Sequence, residues 1–102
     1  MKVWIKSSQE SYFIENEIGE VFSGKHAGTR TQEEREYTAI IRALEHYKEE
    51  AILEIYSTNR LVVDQLNNGF GIRTDKLLAL ARGVWKLIEK RQVAFIWKEN
   101  RI

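Results

Sequence analysis

The residue types able to do chemistry in this 102-residue chain are a group of glutamates and a row of cations. Glu33, Glu34 and Glu36 fall within one helical turn. On a helix Glu33 and Glu36 are near neighbours, whereas Glu34 points elsewhere. Such carboxylates could make a small acidic site, and they serve equally well as an N-terminal turn that favours the helix dipole. Arg82, Lys86 and Lys90 are spaced four apart, with Arg73, Lys76 and Arg91 close by in sequence. That spacing could line a phosphate backbone, and it is also what a solvated helix face looks like. His26 and His46 are far apart and lack partners at metal-ligand spacing, so both are read as surface residues. Trp4, Trp85 and Trp97 are read as anchors of the core or its edges, with base stacking as the other use of such rings. With no cysteine, neither disulfides nor thiolate metal sites are available.

The elements that must position these residues can be read from periodicity. In Thr31–Glu50 the apolar side chains fall at Tyr37, Ile40, Ile41, Leu44 and Tyr47, one stripe of a helix. Thr31 followed three residues later by Glu34 is a capping-box pattern. Ala51–Ser57 is rich in strand formers, and Thr58 or Asn59 can cap a second helix running to Leu66. Before this core lie three short strands, Lys2–Lys6, Ser11–Asn16 and Glu20–Lys25. Glu17-Ile18-Gly19 makes the last two a hairpin, and His26–Arg30 is a polar loop. Asn67-Asn68-Gly69-Phe70-Gly71 breaks the second helix. A third helix starts at Thr74 or Asp75 and runs to about Arg91, with Leu77, Leu78, Ala81, Val84, Trp85 and Ile88 inward. Gln92–Lys98 is a last strand, and Glu99–Ile102 is a stub. The order βββαβααβ predicts an α/β fold with a mixed five-stranded sheet, antiparallel at its start and joined by helical crossovers later.

Composition bounds the rest. The length suits one domain, residues 1–102, with a single core. Hydrophobic content of 43% with 30% charged residues is ordinary for a globular protein. No apolar run approaches the ~20 residues that span a bilayer, and the opening Met-Lys-Val-Trp-Ile-Lys is too short for a signal peptide, so a cytoplasmic protein without membrane partners is expected. The absence of proline argues against a linker or disordered tail. The net charge of +1 conceals an asymmetry: seven Lys/Arg against ten Asp/Glu in residues 1–50, and nine against five in residues 51–102. A basic second half allows a surface for a polyanion.

Thr31-Gln32-Glu33-Glu34-Arg35-Glu36-Tyr37-Thr38-Ala39-Ile40-Ile41-Arg42-Ala43-Leu44 resembles the first helix of the ribonuclease H superfamily. That helix opens with a Thr-Asn-Asn-like start and carries a catalytic Glu before a Tyr or Leu and an Ala-Ile/Leu repeat. Ser57-Thr58-Asn59 followed by Leu61-Val62-Val63-Asp64-Gln65-Leu66 is similar to the strand end and helix that come next in the family. The resemblance runs from about Lys2 to Lys98 and implies a ribonuclease H-like fold without its C-terminal helix.

The family cleaves RNA with two Mg²⁺ ions held by four carboxylates, paired metals about 3.5–4 Å apart stabilising the attacking and leaving oxygens. Carried over residue by residue, the resemblance keeps the helix carboxylate as Glu36. It puts the first-strand Asp at or near Lys6, because Trp4-Ile5-Lys6-Ser7 stands where the family has Tyr-x-Asp-Gly. It puts Asn59 at the second-strand Asp and leaves the last Asp without a position. A lysine there opposes a metal: like unit charges 4 Å apart repel by ~4 kcal/mol at an effective dielectric of about 20. The resemblance therefore implies a catalytically inactive ribonuclease H-like domain that binds RNA, DNA or an RNA–DNA hybrid, or a protein, with no metal or other cofactor. Gln32 falls where the family often uses Asn to touch a strand, on the surface expected of Arg73, Lys76, Arg82, Lys86 and Lys90. One alternative is an active, Mg²⁺-dependent ribonuclease H whose missing carboxylates come from a partner chain. Another is a self-associating structural domain, a homodimer, built on apolar sheet surface that the absent helix uncovers. The Lys6 ammonium is expected to reach Glu36 in place of the metal, with Asn59 as third partner, lowering the Glu36 pKa.

Overall fold

Among the described residues, five strands and three helices form in the order the periodicity predicts. They are β1 (Lys2–Ser7), β2 (Ser11–Asn16), β3 (Val21–Lys25), α1 (Gln32–His46), β4 (Ile52–Ser57), α2 (Arg60–Asn68), α3 (Asp75–Leu87) and β5 (Gln92–Trp97). This is a computed structural model, and it describes residues 1–26, 28 and 30–99. Ala27 and Thr29 of the polar loop, and Asn100 to Ile102 of the C-terminal stub, lie outside the described residues.

The strand order across the sheet is β3-β2-β1-β4-β5. β1–β2 and β2–β3 are antiparallel, while β1–β4 and β4–β5 are parallel. The carboxyl ends of β1, β3, β4 and β5 therefore share one edge of the sheet. The pleat sends alternate side chains to opposite faces. Val3 and Ile5, Ile14, Leu53 and Ile55, and Phe95 point inward and are buried. They meet the stripe of α1, where Tyr37, Ile40 and Leu44 are fully buried, each contributing roughly 1.5–3 kcal/mol of transfer free energy. α1 packs on β1, β2 and α3, and α2 packs on β5. The inward strand residues thus face α1 and α2, with α3 packed on those two helices, and among the described residues no helix is long and apolar enough to cross a membrane.

Local chemistry sets the helix ends. The Thr31 hydroxyl accepts from the Glu34 amide at 3.2 Å, and the Glu34 carboxylate accepts from the Thr31 amide at 2.8 Å, which is the complete capping box. The Thr74 hydroxyl accepts from the Leu77 amide at 3.1 Å to start α3. Gly69, with φ 74°, closes α2 in the left-handed conformation that a side chain disfavours. α1 ends at His46, with Tyr47 as its C-cap. There the Arg91 guanidinium donates to Leu44 O at 3.3 Å and Tyr47 O at 2.6 Å, and to Glu50 O in the turn beyond at 3.0 Å. α3 is shorter than the sequence predicts and stops at Leu87. Arg91 accordingly belongs to a helix C-terminus and not to a basic face, and Lys90 lies in the turn after α3.

Candidate functional site

The shared carboxyl edge of β1 and β4 lies against the first half of α1. On that edge the inward-facing residues are Ser7, continuing Val3 and Ile5, and Ser57, continuing Leu53 and Ile55. Ser57 is the cross-strand partner of Ile5. From α1 the Glu36 side chain descends onto this edge and is only 3% exposed. The Ser57 hydroxyl donates to Glu36 Oε2 and accepts from the Asn59 amide at 3.0 Å. A carboxyl group taken this far from water favours its neutral form. Burial raises the Glu36 pKa to about 7, with the Ser57 hydrogen bond opposing the shift.

Two expected partners of Glu36 are elsewhere. Lys6 is exposed on the opposite face of the sheet, beside Trp4 and Phe13. One residue of displacement along a strand reverses the face, so the inward position at the end of β1 is Ser7 and not Lys6. The Lys6–Glu36 ion pair does not form, and the Glu36 pKa moves up rather than down. Asn59 has a different task. Its side-chain oxygen accepts from the Val62 amide at 3.1 Å as the N-cap of α2, so it is not a third partner of Glu36.

His26 is the residue that sequence reasoning missed. It is half-buried, and its Nε2 lies 2.8 Å from Ser7 Oγ. Its ring is 5.6 Å from that of Tyr12, and its amide donates to Glu10 O at 2.9 Å. Burial lowers its pKa, and the Arg35 and Arg30 guanidiniums lower it further. The signal was in the hairpin register. A turn at residues 17–19 pairs Lys25 with Ser11 and carries His26 back beside the end of β1. His46 is an exposed residue, as expected, but it stacks on Phe22 at 3.9 Å.

A second concavity of about 430 Å³ opens between the starts of α1 and α3 and the side of α2, lined by Thr31, Glu33, Glu34, Gln65 and Arg73 among others. Lys76 reaches the Glu34 carboxylate at 3.4 Å. The Thr31 amide, together with Lys76, holds the Glu34 carboxyl below the usual carboxylate range. Gln32 is exposed on the first turn of α1. The structure therefore gathers Arg73, Lys76 and the first turn of α1 into one region. Arg82 and Lys86 stand apart on the exposed side of α3, followed by Lys90 in the turn, and none of the three forms an ion pair among the described residues. Trp85 anchors α3 to α2 by donating to Leu66 O at 3.0 Å, and Arg60 lies over the Trp97 ring.

Comparisons place this arrangement among known proteins. Three solved structures superpose closely. RNase H1 from the halophilic archaeon Halobacterium salinarum NRC-1 has 16% identity and a TM-score of 0.77, covering 95% of this chain and 83% of its own. The N-terminal RNase H domain of a Mycobacterium tuberculosis protein, solved as a fusion with maltose binding protein, has 18% identity and a TM-score of 0.77, covering 98% and 88%. LC11-RNase H1, solved in complex with an RNA/DNA hybrid, has 18% identity and a TM-score of 0.79, covering 95% and 83%. No curated protein matches the chain. The family profile described as reverse transcriptase-like matches residues 7–101, nearly the whole length. With that match and the RNase H fold of its sheet and helices, the chain belongs to the reverse transcriptase-like, RNase H-like family.

Proposed function

We propose that this domain binds nucleic acid without cleaving it by the two-metal route. The observation that carries the reading is the state of Glu36: a buried carboxyl hydrogen-bonded to Ser57, with no group of three His, Cys, Asp or Glu side chains gathered anywhere among the described residues. A Mg²⁺ pair needs several oxygen ligands in near-octahedral array and charge to offset its own. Glu36, flanked on its edge by serine hydroxyls and the cap Asn59, does not fit that requirement. The ligand class is supported by the RNA/DNA hybrid bound to LC11-RNase H1, a protein of the same fold. It is supported too by the exposed cations Arg73, Arg82, Lys86 and Lys90. Gln32 on the first turn of α1 is suited to positioning a strand. A cytoplasmic location belongs to the same reading.

The test is a fluorescence anisotropy titration with an RNA–DNA hybrid at two salt concentrations, with cleavage followed in the same tubes with Mg²⁺ or Mn²⁺. Binding that weakens with salt, and no cleavage, is the expected result. Replacing Arg82, Lys86 and Lys90 with Ala should flatten the salt dependence by up to about one unit of slope for each phosphate no longer neutralised. Cleavage above background would overturn the inactive reading, and no binding at low salt would overturn the nucleic-acid reading. A second reading, self-association, is favoured by the exposure of Phe13 (44%) and Val21 (57%) on the sheet face turned away from the helices. A dimer in solution that binds no nucleic acid would support it.

A further inference from the structure

The two edges of the sheet are finished differently. At β5 the chain closes its own edge: α2 packs on that strand, Asn67 Nδ2 donates to Phe95 O at 2.9 Å, and Arg60 lies over the Trp97 ring. β3 stands at the opposite edge, farthest from β5 and the residues that follow it. The Asn16 amide donates to Glu20 O at 3.0 Å, and the His26 amide to Glu10 O at 2.9 Å. Backbone groups alternate in direction along a strand. Residues 20, 22, 24 and 26 therefore turn theirs toward β2, while Val21, Ser23 and Lys25 turn theirs off the sheet. Among the described residues none of those outward amides and carbonyls has a partner. An edge in this state is a template for another strand.

The residues of β3 are complementary to their own antiparallel copy. With a two-fold axis at Ser23, Ser23 faces Ser23, and Val21 faces Lys25 in both directions. Those are the residues whose backbone groups point outward, so three pairs can exchange about six hydrogen bonds. A register shifted by one residue would set them against groups already bonded to β2. Between these pairs, Phe22 comes opposite Gly24. The Tyr12 ring lies over Gly24, where a Cβ would collide with its hydroxyl. Phe22 of one copy thus meets Tyr12 of the other across a position that has no side chain. On the outer face, Lys25 of the second copy lies beside Val21, whose partner on β2 is Glu15. Val21, 57% exposed, is then covered by the lysine stem, with opposite charges to either side of it. An unrelated strand could take the backbone bonds but would not match Phe22 to the gap at Gly24, or a cation to Glu15.

We propose that β3 pairs with β3 of a second copy of this chain, antiparallel and in register about Ser23. One sheet then runs through a two-fold dimer. The cations of α3 take no part, so the proposal stands or falls apart from the nucleic-acid reading.

The sequence has no cysteine, so single substitutions report the register directly. Ser23→Cys should place two thiols across the axis on Cα atoms about 5.5 Å apart, within disulfide range. Val21→Cys should leave its two thiols four residues out of step, about 14 Å apart. Under mild oxidation the Ser23→Cys chain should form a covalent dimer at least about tenfold faster than the Val21→Cys chain, and denaturant should remove the difference. Sedimentation velocity of the unaltered chain at rising concentration should show a monomer–dimer equilibrium. Ser23→Pro should abolish it, because the ring replaces an amide that points off the sheet, which a free edge tolerates and a paired one does not. Val21→Lys, which sets a second ammonium opposite Lys25, should weaken it as well. Circular dichroism checks the fold of each variant. Equal cross-linking of the two cysteine variants, a dimer untouched by Ser23→Pro and Val21→Lys, or a chain monomeric at every concentration would overturn the proposal. Slow exchange of the Val21, Ser23 and Lys25 amides in the monomer would give the edge to a segment of the chain itself and overturn it too.

Discussion

Raising the pH should destabilise this fold through one side chain, Glu36. Its carboxyl titrates near 4.5 in the unfolded chain and at about 7 when buried beneath α1. Between those values the folded state holds a proton that the unfolded state has released. The unfolded state binds fewer protons in this window, so stability falls as pH rises and the loss is complete above about 7. A difference of about 2.5 units at 1.36 kcal/mol per unit gives about 3 kcal/mol. Glu36→Gln isolates the effect, because the amide keeps the shape and an acceptor for the Ser57 hydroxyl but cannot ionise. Urea denaturation of both proteins at pH 5, 6, 7 and 8.5 is the assay. The stability of the Gln variant relative to the parent should rise by about 2.5 kcal/mol from pH 5 to 8.5, since part of the change lies below pH 5, and most steeply below 7. His26 acts in the opposite sense. Its folded pKa is depressed by burial and by Arg35 and Arg30, so its contribution is lost as pH falls through the His range. That contribution is common to both proteins and cancels in the difference. Parallel pH profiles for the two would refute the reasoning, since they would mean that Glu36 ionises at the same pH folded and unfolded.

Other outcomes follow from single hydrogen bonds. Gln65→Leu leaves the buried Tyr37 hydroxyl without its acceptor, now 2.8 Å away, and Gly71 O without its donor at 3.0 Å. Thermal denaturation should show a loss of about 1–3 kcal/mol, with faster amide exchange in the α2–α3 connection. Arg91→Ala removes three hydrogen bonds from the end of α1 and the turn after it and should cost about 1.5–3 kcal/mol in urea unfolding. Arg91→Lys should restore little of it, because an ammonium lacks the planar fork that reaches three carbonyls. Asn59→Ala should cost about 1 kcal/mol and Asn59→Asp almost nothing, since Asp caps a helix as well as Asn does. An equal loss in both would mean that Asn59 is held by something other than the Val62 amide.

The interior of the structure explains why these interactions escaped sequence reasoning. Gln65 lies on a helix of ordinary pattern, and nothing in its spacing marks it as the link between Tyr37 and the Gly71 loop. Arg91 follows the cations of α3 in sequence and reads as one of them. Its partners lie 41 to 47 residues earlier, a distance that only the packed fold closes. The capping signals were legible because they are local. Thr31 with Glu34, and Thr74 with Leu77, need only the first turn of their own helix.

Period and capping in the sequence determined the elements, the mixed sheet and the buried stripe of α1, because side-chain direction repeats every 3.6 residues on a helix and every two on a strand. The resemblance carried by Thr31–Leu44 and Ser57–Leu66 pointed to the family, and Glu36 is where it placed the surviving carboxylate. What the sequence could not decide was phase. Trp4-Ile5-Lys6-Ser7 fits the family motif in more than one register, and a shift of one residue exchanges the two faces of the sheet. Only the packing of Val3 and Ile5 beneath α1 settles that Ser7 faces inward and Lys6 outward. The same packing turns Lys6 from a partner of Glu36 into a neighbour of Phe13, and leaves Glu36 buried against Ser57, where desolvation rather than a nearby charge sets its titration.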